Sequence, residues 1–157
     1  MNIYERAKTE TGNLEFWVDS QKPEIERYFP DTLTDHPAVS LSQIISGVTD
    51  AIKCGDQCAI EMGIHLLLQN QKICFGVSLK TRIITSLKSQ VDKIGQNQRY
   101  RLTQLLILLV TLKYPPREIK WYCRLVKSFG KEYRDLVVNT VNSNTKEASR
   151  WIQFLSC

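Results

Sequence analysis

Long apolar runs are missing from this sequence. The longest, from Leu105 to Leu112, covers about 8 residues, whereas a helix that crosses a bilayer needs about 20, so no transmembrane helix is expected. Histidine is scarce, with only His36 and His65, and G-x-S-x-G, P-loop, H-E-x-x-H and G-x-G-x-x-G patterns are all absent. No catalytic residue and no cofactor are therefore expected, and the chain reads as non-enzymatic. Proline (5) and glycine (7) are too few for a fibrous or disordered chain. The first ten residues carry charge and lack the 7 to 15 apolar residues of a signal peptide, which makes the cytoplasm the expected location.

Cysteine is present in an odd number, as Cys54, Cys58, Cys74, Cys123 and Cys157. That scatter does not form a disulfide framework, and in a reducing compartment these thiols act as small hydrophobes, apart from an exposed Cys157. Cys54 and Cys58 with His65 lack the C-x₂-C knuckle and a fourth ligand, so no metal site is expected.

What is present is ample apolar material. A chain of 157 residues with 43% hydrophobic and 24% charged residues fits one globular domain, residues 1–157, with a single core. Its net charge of +5 is unevenly spread. Residues 1–50 hold four basic against nine acidic side chains, and the remainder holds seventeen against seven. An acidic segment packing on a basic body would produce this pattern, and so would a basic face aimed at an anionic partner.

Residues 1–39 form the irregular part, interrupted by Pro23, Pro30 and Pro37, and are expected to hold short helices and ordered loop. From Ser40 a 3.6-residue period begins. Leu41, Ile44, Ile45, Val48 and Ile52 share one face, Ser40 and Gln43 read as a capping box, and Gly55 as the stop. Asp56 caps a second helix that runs through about Leu68. A third, from Phe75 or Ser78, carries Leu79, Ile83, Ile84, Leu87, Val91 and Ile94 to Gly95.

The fourth helix, Gln98 to Lys113, is apolar on nearly every side and is expected at the centre of the core. Pro115 and Pro116 break the chain, and a fifth helix begins at Pro116 and ends at Phe129 before Gly130. Lys131 to Val141 and Lys146 to Leu155 complete an all-α fold of six to seven helices in antiparallel hairpins. The arrangement is either a compact bundle or a short α-α superhelix, and over residues 40–141 the hairpin lengths resemble HEAT-like superhelices.

The strongest pattern outside the core is basic. Lys113, Arg117, Lys120, Arg124, Lys127, Lys131 and Arg134 recur in steps of four and three, which would align them along one helical face about 5 to 6 Å apart. Trp121 and Tyr122 interleave with them. Three readings compete: a solvated face with Glu118, Glu132 and Asp135 pairing locally, an acidic protein or the chain's own acidic segment as partner, and nucleic acid. The first functional expectation is a protein–protein interaction module, such as an inhibitor, an immunity protein or an adaptor. The alternative is a nucleic-acid-binding protein that uses the basic ridge, Trp121 included. Nothing in the sequence indicates an oligomeric state.

Overall fold

The computed structural model describes residues 37–68, 77–141 and 145–157. Expectations for residues 1–36, Cys74 and the loop at 142–144 lie outside this set. Among the described residues there are seven α-helices and no strand: α1 (Pro37–Lys53), α2 (Gln57–Leu68), α3 (Val77–Ser89), α4 (Gln96–Val110), α5 (Ile119–Phe129), α6 (Lys131–Thr140) and α7 (Lys146–Ser156). A short 3₁₀ turn, Val91–Lys93, joins α3 to α4. None of these helices is long and apolar enough to cross a membrane.

Several boundaries differ from the sequence reading. Helix α1 already includes Pro37, so Ser40 lies inside it instead of capping it. Gly55 ends α1 as anticipated: at φ +80° its N–H reaches the Ile52 carbonyl at 2.8 Å. Asp56 then caps α2, its Oδ1 accepting from the Ala59 N–H at 3.1 Å.

Helix α3 stops at Ser89, and Val91 and Ile94 belong to the turn that follows it. Gly95 is the cap of α4 rather than the end of α3, and its N–H donates to Gln98 Oε1 at 3.3 Å. Arg99 locks this corner by donating to the Ile94 and Val91 carbonyls, each at 2.9 Å. Lys93 Nζ donates to the Gly55 carbonyl at 2.9 Å and Gln90 to that of Lys53 at 3.0 Å, which ties the α3–α4 turn to the α1–α2 turn.

The leucine-rich α4 is not the all-round core helix expected. Leu102, Leu106, Leu109 and Val110 are buried, but Leu108 is 56% exposed and Leu112, just beyond the helix, 43%. Helix α5 shares the central position with α4: it touches α3, α4, α6 and α7 and buries Tyr122, Cys123, Leu125, Val126 and Phe129. It begins at Ile119, because the chain uses Pro116 to Glu118 for a turn closed by the Ile119 N–H on the Pro116 carbonyl at 3.1 Å. The helix–helix contacts, in which α4 meets α2, α5, α6 and α7, are those of a compact bundle.

That turn also turns Glu118 inward. Its carboxylate is 3% exposed and meets Lys80 of α3 at 3.2 Å. Removing one partner of such a pair strands a buried charge, so Lys80→Ala should lower the unfolding free energy in urea by about 3 kcal/mol. The double change Lys80→Met with Glu118→Leu should cost far less.

Burial holds the Tyr122 hydroxyl above the ordinary tyrosine range, with Glu118's charge adding to the effect. Burial also pushes the Cys123 thiol up to about 12, against a smaller opposing pull from Lys127. Both groups keep their protons in the folded chain where the unfolded chain releases them, so stability is complete below about pH 9 and falls as pH rises beyond it. Among the described residues Tyr122 Oη has no hydrogen-bond partner. Tyr122→Phe should therefore leave stability at pH 7 within about 1 kcal/mol of wild type or raise it, and should flatten the decline of the urea midpoint above pH 10.

Candidate functional site

The basic series does not form one ridge. Only Lys120, Trp121, Arg124 and Lys127 lie on α5. Lys113 and Arg117 are exposed in the turn between α4 and α5. Lys131 and Arg134 belong to α6, which leaves in a new direction after Gly130. Gly130 stands at φ +119°, ψ 173°, a conformation that is essentially glycine's alone. A Cβ there would meet nothing within 4 Å, so Gly130→Ala isolates the backbone cost, expected as a loss of about 1 to 3 kcal/mol in urea unfolding.

The sequence spacing misses the partner element, α7. Thr145 caps it, with Oγ1 accepting from the Ala148 N–H at 3.0 Å, and Ala148, Trp151 and Leu155 anchor it in the core. That registration lays Arg150 and Phe154 beside α5. Lys127 Nζ donates to the Phe154 carbonyl at 3.3 Å and lies over the Phe154 ring at 4.9 Å. No spacing rule within α5 could have found Arg150, which is 26 residues beyond Arg124 in the chain.

Three hollows follow one another along the α5–α7 seam. The first, about 420 Å³, is lined by Lys88, Arg124, Lys127, Ser128 and Phe154. The second, about 380 Å³, shares Phe154 and adds Lys120, Arg150, Trp151, Gln153 and Cys157. The third, about 500 Å³, shares Lys120, Arg150 and Trp151 and extends past Glu147 to Arg117, the two prolines, Tyr114 and Lys113. Seven cations thus border one groove in which Glu147 is the single acidic group among the described lining residues. Lys131 and Arg134 line none of the three.

In the solvated-face reading Glu118, with Glu132 and Asp135, is free to pair with this series. It is instead committed to Lys80, and among the described residues no carboxylate lies in ion-pair range of the seven groove cations. Four of the seven are laid on aromatic rings: Arg124 over Trp121 at 4.8 Å, Lys127 over Phe154 at 4.9 Å, Arg150 over Trp151 at 5.0 Å and Lys113 over Tyr114 at 5.4 Å. These contacts hold the charges in place without cancelling them.

Elsewhere the chemistry is sparse. Glu61 and His65, four residues apart on α2, differ in setting: Glu61 is exposed and His65 half-buried. Among the described residues no group of three His, Cys, Asp or Glu side chains is arranged to hold a metal. Only Cys123 of the described cysteines is buried; Cys54 is exposed and Cys58 half-buried, contrary to their reading as core hydrophobes. No family model, no curated protein and no solved structure matches the chain.

Uncompensated like charges repel, and salt screens them. Raising the ionic strength from about 10 mM to 150 mM should therefore raise the chain's melting temperature. Arg150→Gln should reduce that salt response.

Proposed function

We propose that this chain is a non-enzymatic binding module that holds nucleic acid in the groove between α5 and α7. The observation that carries the reading is the groove itself: a line of unneutralised Lys and Arg side chains bordering hollows with aromatic walls. Phosphates need the former, and bases gain from the latter. Lysine and arginine without acidic neighbours make the bundle slightly less stable alone, and an anionic chain restores the balance.

A second reading keeps the protein partner that the sequence first suggested, as an inhibitor, immunity protein or adaptor. It draws on a different surface. Tyr100 and Leu108 of α4 are exposed and border, with Ile107 and with Leu136 of α6, an uncharged hollow of about 370 Å³. Exposed apolar groups gathered in this way are common at protein contacts. An acidic protein surface would also suit the cationic groove.

Fluorescence anisotropy with labelled DNA and RNA at two salt concentrations tests the first reading. Replacing Lys120, Arg124 and Lys127 by Glu should abolish binding, and wild-type affinity should fall steeply with salt. Absent or salt-insensitive binding at about 50 mM salt would remove nucleic acid as the ligand and leave the acidic protein.

A further inference from the structure

Resting on the nucleic-acid reading, we infer that the α5–α7 groove is built for a single strand rather than a duplex, with Tyr114 as its base-stacking platform. A protein reads duplex DNA by inserting an element into a major groove about 12 Å wide, and an α-helix with side chains fills that width alone. Neither helix of the site stands free to do so. Helix α5 is packed by α3, α4, α6 and α7, and α7 by α4, α5 and α6. The cations border shallow, open hollows along the seam of two helices and not the crest of a single one. A duplex would touch them only at the rim, with its bases sealed in the stack. A single strand can follow the seam and turn its bases inward.

The aromatic groups fit that use. Tyr114 is 81% exposed and lines the third hollow beside Arg117 and Lys120. Lys113 lies 5.4 Å from the centre of its ring, so a base stacked there sits next to a cation that can meet its phosphate. At the other end Phe154 is half-buried beneath Lys127 and offers apolar surface to two adjoining hollows. Helix α5 has 11 residues and is about 16 Å long, which corresponds to about five nucleotides at the 3.4 Å rise of a stacked strand. Engaging about four phosphates gives a salt slope near −3, or roughly a 60-fold loss of affinity between about 50 and 200 mM salt.

The experiment measures anisotropy of the full chain with labelled dT₁₂, a 12-base-pair duplex and a 12-residue polyglutamate, for wild type and Tyr114→Ala. The expected result is that dT₁₂ binds at least about tenfold more tightly than the duplex, and that Tyr114→Ala weakens dT₁₂ by about tenfold and the duplex much less, by the loosening of Lys113 alone. Tyr114 is exposed in a turn, and circular dichroism of the variant checks that it folds. Equal binding of duplex and dT₁₂, or equal loss of both in the variant, would overturn the single-strand inference and leave the nucleic-acid reading standing. Binding of polyglutamate alone would overturn both and favour an acidic protein.

Discussion

Helix α5 has two incompatible obligations, and most of the bundle follows from meeting both. One side must bury Tyr122, Cys123, Leu125, Val126 and Phe129, each less than 7% exposed. The other carries Lys120, Arg124 and Lys127, whose charged ends cannot enter a low-dielectric core without partners. Burying the apolar side brings α3, α4 and α6 against it, and α7 then has a place only along the margin between core and charge. There its own amphipathic pattern lets Trp151 and Leu155 face inward while Arg150 remains outside. The groove is the boundary where two amphipathic helices meet.

The buried Lys80–Glu118 pair orients this arrangement. It fixes the start of α5 against α3, and it withdraws the acidic side chain nearest to the basic series from the surface. Replacing a buried pair by apolar groups of similar size is often neutral for stability, so its retention is better explained by geometry than by strength. With Glu118 turned inward, Arg117 and Lys120 on either side of it in the chain face solvent uncancelled. A single rotation of the turn sets both the fold and the surface potential.

Apolar periodicity and turn residues made most helices legible: α6 and α7 end within a residue of where the pattern placed them. Two features escaped. The run Leu105–Leu112 reads as all-round core because hydrophobicity does not tell which neighbours exist, and Leu108 is left 56% exposed. A single 3.6-residue period carries the basic series backward through two prolines and forward to Gly130, where the sequence already offers a break into two differently aimed pieces. Gly130 at φ +119° and the turn at Pro116 end that period at both sides, so spacing kept only the three cations of α5 in line. Arg150 is a tertiary neighbour, and local patterns carry no information about those. Lys131 and Arg134 show the converse: close in sequence, they lie on the next helix beyond Gly130 and line none of the three hollows.

A solvated face and a binding face are built from the same residue types, and what separates them is how the charges are held. A solvated lysine keeps its rotamers and gains entropy from doing so. Here Arg124, Lys127, Arg150 and Lys113 each rest on an aromatic ring, and Lys127 also donates to the Phe154 carbonyl. Each such contact costs side-chain freedom for a return of about 0.5 to 1 kcal/mol at an exposed site. Fixing cations beside one another without acidic neighbours adds repulsion to that cost. A ligand that meets them already in position pays less ordering entropy on binding, which is the benefit of preorganisation. An anionic ligand at this groove would meet cations already in position, whereas in the free chain the same cations bear their mutual repulsion.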